Sequence, residues 1–255
     1  MAALYDLDSA PLEGSADVEW FGGLARRTGG PILELGCGTG RIAVPLAQDG
    51  HQVVGLDRSQ AMLERAERRA RRANVEVRWV EGDMRAFSFD ESFALIFIAA
   101  NTFLMLKPDD RWACLARVRE HLAPRGRFAI DVFQPDPNLI AGMEGGVIDE
   151  WEREDPETGR LVRKFSSTRA NVDGVTQRIW FEEIGDDGTV RRVGGTTTLH
   201  YLWRRETELL FSEAGFKVES LHGDYDGGPV DAASRKLLAV GKRKERGTGR
   251  ERRRT

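Results

Sequence analysis

An acid and three alternating glycines, Glu34-Leu35-Gly36-Cys37-Gly38-Thr39-Gly40, stand between a short apolar run, PILEL, and a segment of helical spacing. Glycine lets backbone approach a ligand closely and turn with positive φ, and a helix N-terminus just behind such a turn favours negative groups. Asp57, at the end of the apolar run HQVVGLD, lies 23 residues after Glu34. A carboxylate there can accept hydrogen bonds from both hydroxyls of a ribose. Asp83-Met84 follows a third run, VEVRWVEG, and offers a carboxylate for an adenine amino group and an apolar side chain for its face. Taken singly, the glycine turn fits any nucleotide-binding α/β protein, or a tight turn with no ligand. Together the three run-ends point to a nucleoside ligand at one sheet edge. A nicotinamide dinucleotide site fits less well, because it expects G-x-G-x-x-G, whereas Gly36, Gly38 and Gly40 alternate and Val44 follows. No G-x-x-x-x-G-K phosphate cradle occurs.

The elements that must hold these residues alternate. Residues 1–15 read as irregular. Asp17 is predicted to cap a helix through Arg27, stopped by Gly29-Gly30-Pro31. The runs ending at Leu35, Asp57 and Asp83, then FALIFIAA and RFAIDVFQ, read as strands, separated by helices over 42–47, 59–73 and 109–122. That repetition predicts a Rossmann-like, doubly wound, mostly parallel seven-stranded sheet of α/β class. From Glu150 to Tyr201 the pattern becomes alternating segments broken at Asp173-Gly174 and Asp187-Gly188, the signature of an inserted small antiparallel sheet. The helix RRETELLFSEAG and two late strands then complete the first domain. The division expected is 1–134 with 204–242 as the α/β domain, 135–203 as an inserted β cap, and 243–255 as a disordered basic tail. The arginines of the 59–73 helix (Arg65, Arg68, Arg69, Arg72) read as a solvated face.

The runs ILELGCGTGRIAVPLA, VVGLDRSQAML, VEGDMRAF, ALIFIAANTFLML and HLAPRGRFAIDVF resemble the successive motifs of class I S-adenosylmethionine-dependent methyltransferases. The resemblance covers about residues 30–134, and RETELLFSEAGF adds a later segment. It implies S-adenosyl-L-methionine as cofactor. Glu34 and the turn of Gly36, Cys37, Gly38 and Gly40 would surround its methionine part, Asp57 would take the ribose, and Arg58 and Met62 would flank the adenine. Asp83 and Met84 match the adenine-recognition pair, and Ala99, Ala100 and Asn101 match the loop beside the transferred methyl. A sheet inserted after the fifth strand is similar to small-molecule methyltransferases that act on amino sugars or glycine. In such enzymes an N-terminal segment helps cover the site, and Tyr5 matches its aromatic residue.

A sulfonium cofactor already carries a good leaving group, so the protein must position a nucleophile in line with the methyl and exclude water. An amine acceptor need only arrive neutral, whereas a hydroxyl benefits from a base within hydrogen-bond reach. His200, Tyr201, Tyr225 and Asn101 are the candidate catalytic residues, with Asp226 beside them. His200 reads equally as an ordinary strand histidine, and Tyr225-Asp226 as a simple turn. Trp151, Trp180 and Trp203 would line an apolar pocket or pack the insert on the core. Cys37 reads as a small packing residue. No metal-ligand spacing is evident.

The partner expected is a small molecule. The last fourteen residues carry a net charge of +6 against −3 for the whole chain, which leaves an acidic body poorly suited to nucleic acid. A nucleic-acid methyltransferase and a non-catalytic cofactor-binding protein are the competing readings. The fourth-strand loop, Ala-Ala-Asn-Thr, lacks the Asn-Pro-Pro-Tyr type of motif used on exocyclic base amines. Two cysteines and no span-length apolar run suggest a reducing cytoplasm and no membrane. The exposed inserted sheet offers a surface for a homodimer.

Overall fold

Apolar residues on both faces place PILEL and FALIFI at the centre of a parallel sheet, as β1 (Ile32–Leu35) and β4 (Phe93–Ile98). The computed structural model describes residues 2–9, 15–185 and 187–244. On one side of the central pair lie β2 (Val53–Asp57) and β3 (Arg78–Glu81). On the other lie β5 (Leu122–Phe133), β11 (Lys236–Arg243) and β10 (Phe216–His222). The first five strands pair in parallel, and β11 and β10 run antiparallel. The sheet order, β10-β11-β5-β4-β1-β2-β3, puts the switch in strand direction of growth between β1 and β4. Ligands bind at the carboxyl ends of the strands beside such a point.

Helices α2 (Ala16–Thr28), α3 (Ala43–Gln48), α4 (Gln60–Arg72), α5 (Pro108–His121) and α7 (Arg204–Glu213) cover this sheet. One core layer gathers Leu33, Leu35, Ile96, Phe103, Leu115, Phe128 and Phe211; the other gathers Phe21, Ile32, Leu46, Leu95 and Phe97. His121, a helix-end residue, accepts a hydrogen bond from Phe89 N through Nε2 at 2.9 Å and is structural.

After α6 (Pro137–Ala141) come β6 (Glu144–Glu154), β7 (Leu161–Ala170), β8 (Gly174–Ile184) and β9 (Val190–His200), paired consecutively and antiparallel as a separate four-stranded sheet. The alternation Val162, Lys164, Ser166 is buried while Arg163 and Phe165 face outward, as a sheet with one covered face requires. Among the described residues no helix is long and apolar enough to cross a membrane.

Four expectations need correction. Residues 1–15 are not uniformly irregular: α1 (Ala2–Ser9) is a helix, stabilised because Leu4 and Leu7 pack against Val162 and Phe181 of the inserted sheet. Asp17 does not cap α2. Ser15 holds the N-cap position, and Asp17 turns inward to Arg41. The arginine face of α4 is only partly solvated. Arg65 is buried and pairs with Asp6 at 2.6 Å and Glu157 at 3.2 Å, and Arg69 pairs with Asp6 at 3.1 Å. The basic tail does not begin at 243, since Arg243 ends β11 and donates to Leu122 O at 3.0 Å. Residues 245–255 lie outside the described residues.

Candidate active site

The glycine turn leaves β1 pinned to the end of β2. Gly36 N and Cys37 N both donate to Leu56 O, at 2.7 and 3.1 Å, which folds the turn back over β2. Gly36 has φ +72°, and a Cβ there would sit 2.5 Å from Thr102 Cγ2. Gly38 has φ +55°, but a Cβ there would meet nothing within 4 Å. The first glycine is therefore required by packing, and the second borders open space that a ligand can fill.

Asp57 is fixed by backbone alone: Oδ2 accepts from Gly38 N at 2.8 Å and Oδ1 from Ser59 N at 2.9 Å. Each oxygen keeps a further lone pair for a ribose hydroxyl. Arg58 is exposed and Met62 half-buried in the first turn of α4, beside it. Asp83 is gripped by its neighbour, since Arg85 Nε and Nη2 donate to its carboxylate at 2.9 and 2.6 Å. Arg85 and Arg58 hold the Asp83 carboxyl below its usual range. Met84 reaches under the turn, with its Cε 3.3 Å from the position of a Gly36 Cβ.

Tyr5, Glu34, Arg41, Ala99, Ala100 and Thr102 enclose a small cavity with the glycine turn. Glu34 is 3% exposed, and its Oε2 has no hydrogen-bond partner among the described residues. Burial pushes its carboxyl up to about 8, although Arg41 acts in the opposite direction. Arg41 is itself held by Asp17 through two hydrogen bonds, Nη1 to Oδ1 at 3.0 Å and Nη2 to Oδ2, and by Ser15 Oγ at 3.1 Å. A buried carboxyl with one oxygen unpartnered among the described residues, facing a glycine-lined cavity, suits a cationic group that favours its ionised form, and the methionine end of S-adenosylmethionine carries an ammonium and a sulfonium. Burial pushes the Cys37 thiol well up, so this residue packs rather than reacts.

Beyond this cavity lies a second, of about 250 Å³, between the α/β sheet and the inserted sheet. Asn101, Phe133, Gln134 and Asp136 line it from the first, and Thr168 and Gln177 from the second. Asn101 stands at the border of the two cavities, in left-handed backbone with φ 65°, and its Oδ1 accepts from Phe133 N at 2.6 Å. Gln134 Oε1 is buried and has no hydrogen-bond partner among the described residues.

The remaining candidates do not converge there. The pairing register puts His200 on the sheet face opposite Leu199 and Gln177, and its carbonyl is held by Arg111 Nη2 at 2.7 Å. Tyr201 is buried, its hydroxyl has no partner among the described residues, and its ring is edge-on to Phe133. Tyr225 donates its hydroxyl to Asp131 Oδ2 at 2.8 Å. Burial and the Asp131 charge push its phenol up, which keeps the proton on Tyr225 in this hydrogen bond. Asp226 lines a broad groove with Tyr225 and Trp20 and is not among the residues lining either cavity. Trp151 Nε1 donates to Asp8, Trp180 stacks on Phe165 on the outer sheet face, and Trp203 is exposed. Sequence reasoning passed over Arg41, Asp131 and Gln134. The one available signal was an acid inside the apolar run AIDVF, which a buried strand tolerates only when paired.

Gly38→Val is expected to weaken S-adenosylhomocysteine binding at least a hundredfold, because the side chain enters the open space. The strain of a left-handed valine, about 1–2 kcal/mol, leaves cooperative unfolding intact. Calorimetric titration and thermal melting check both halves, and wild-type affinity would refute the placement of the ligand.

Residues 32–126 match the family model described as a methyltransferase domain. The chain is 30% identical over 246 residues to the cypemycin N-terminal methyltransferase of a Streptomyces species, covering 92% of this chain and 93% of the relative. It is 26% identical over 197 residues to a dTDP-3-amino-3,4,6-trideoxy-alpha-D-glucopyranose N,N-dimethyltransferase of Streptomyces venezuelae, covering 77% and 79%. An S-adenosylmethionine-bound amino pentose methyltransferase from Micromonospora echinaspora superposes with a TM-score of 0.67 at 25% identity, covering 89% of each chain. On this similarity along nearly its whole length, the chain belongs to the S-adenosylmethionine-dependent methyltransferases.

Proposed function

We propose that the enzyme methylates a nitrogen of a polar small-molecule acceptor held in the 250 Å³ cavity. When bound, the cofactor supplies an electrophilic methyl on a leaving sulfonium. The chain's own residues then have to align the acceptor and keep water out. The carrying observation is Gln134, a cavity-lining residue whose side-chain carbonyl is buried and has no partner among the described residues. It is an acceptor in want of a donor, and an amine N–H supplies one. The other polar lining groups are Asn101, Thr168, Gln177 and Asp136, and Asp136 faces Arg235 at 3.6 Å. A hydroxyl acceptor benefits from a base within reach, and here His200 lies on the opposite sheet face while the Asp136 carboxylate faces Arg235. A neutral amine needs none. Two relatives are named as acting at an N-terminus and as an N,N-dimethyltransferase, which favours the same reading.

The test offers S-adenosylmethionine with an amino-sugar nucleotide, a peptide with a free N-terminus, and the hydroxyl counterpart of each. Turnover with an amine alone, and a KM raised roughly 10–100-fold in Gln134→Leu, are expected. Comparable methylation of the hydroxyl compounds would overturn the proposal. We place the enzyme in a reducing cytoplasm, in keeping with two buried free cysteines. A homodimer through the inserted sheet would pair along β6 or β9, its two edges, and sedimentation as a monomer would dismiss it.

A further inference from the structure

Asp131 has no solvent exposure and sits in β5 among Ala129, Ile130 and Val132, all buried. A carboxylate in such a place is costly unless its oxygens are fully engaged. They are engaged by three separate segments. Oδ1 takes Lys236 Nζ from β11 at 2.9 Å. Oδ2 takes Tyr225 Oη, from the segment after β10, at 2.8 Å, and Ala100 N, from the end of β4, at 3.2 Å. The Asp131 carbonyl accepts from Asn101 N at 3.0 Å.

Ala100 and Asn101 are consecutive non-glycine residues with φ 53° and 65°. L residues rarely hold that conformation unless the surroundings impose it. Here the imposing groups are the Asp131 carboxylate on Ala100 N and the Asp131 and Phe133 backbone on Asn101. This turn is also what divides the site: Ala100 lines the cavity of Glu34 and Arg41, and Asn101 lines the cavity of Gln134.

We propose that Asp131, braced by Tyr225 and Lys236, is a positioning cluster that holds the Ala100–Asn101 turn as the partition between the cofactor cavity and the acceptor cavity. Lys236 balances the charge, with its Nζ also 5.2 Å from the centre of the Tyr225 ring. Tyr225 fixes which way the carboxylate faces. The cluster therefore acts on the reaction through the backbone it aims, and this holds whichever atom of the acceptor is methylated.

The experiment measures amide hydrogen exchange by NMR in the full chain, together with the affinity for S-adenosylhomocysteine. In Tyr225→Phe the Ala100 and Asn101 amides are expected to exchange at least tenfold faster, with β2 amides unchanged and a several-fold weaker Kd. Asp131→Asn is expected to show the larger effect, and the double variant to add little to it, because Tyr225 acts through Asp131. A merely structural role would lower the melting temperature and speed exchange across β5 and β11 alike. Unchanged exchange at Ala100 in folded Tyr225→Phe, or additive losses in the double variant, would overturn the proposal. Should Asp131→Asn fail to fold, Lys236→Met replaces it, with the same local pattern expected and an unchanged Ala100 amide refuting it.

Discussion

Asp17→Ala is expected to destabilise the protein by about 3–5 kcal/mol, read as a shift in the denaturant midpoint at constant slope. The Asp17 and Arg41 side chains are 9% and 8% exposed and joined by two hydrogen bonds. Removing the carboxylate leaves a guanidinium buried beside the glycine turn with much of its compensation gone. The loss should depend on pH. Burial alone would raise the Asp17 carboxyl, but Arg41 and Ser15 outweigh it and hold the group below its ordinary range. A lowered native pKa contributes stability that is present above the unfolded value and disappears as pH falls through the native one. Wild type and Asp17→Ala should therefore converge in stability in strong acid. A gap that stays constant to low pH would refute the ion-pair account.

Cofactor binding at pH 7 is expected to release close to one proton, and none in Glu34→Gln. Burial disfavours the charge of Glu34 and pushes its carboxyl up to about 8, so at pH 7 the free protein holds it mostly protonated. A cationic ligand favours the carboxylate and expels that proton. Calorimetry in buffers of different ionisation enthalpy reads the number directly. No proton release by wild type would exclude Glu34 from the cation's surroundings. The ligand-free protein should show the linked effect with the opposite sense to Asp17. A raised native pKa gives stability that is complete below the unfolded value near 4.5 and is lost as pH rises through about 8. Glu34→Gln should flatten that decline.

The parallel half of the fold was legible because its signals are local. Run-ends at Glu34, Asp57 and Asp83 fall at consecutive strand termini, and the glycine turn between β1 and α3 is read directly from composition. The first strand of the inserted sheet was less visible. It begins at Glu144 with Gly145 and Gly146 and is mostly exposed, so it lacks the alternation that marked β7 and β8. Helix α1 was missed for a different reason: too short to form alone, it depends on partners far along the chain. The same distance hid the 250 Å³ cavity, which requires α6, β5 and the inserted sheet to meet. His200 shows the limit of reading residue type without register. One residue of offset along β9 separates the cavity face, which carries Leu199, from the face that carries His200.

The ties of α1 also impose an order on how the enzyme is made. Asp6 is bound by Arg65 and Arg69, Asp8 by Trp151 and Lys164, and the Leu7 carbonyl by Arg153. During translation residues 2–9 leave the ribosome before any of these partners exist. The α/β strands up to β5 can pair while α1 still has nothing on the inserted sheet to dock against. The wall that Tyr5 adds to the cavity of Glu34 is thus synthesised before the inserted sheet and seated only after it. A nascent chain arrested before β7 emerges would carry the glycine turn with that wall still open.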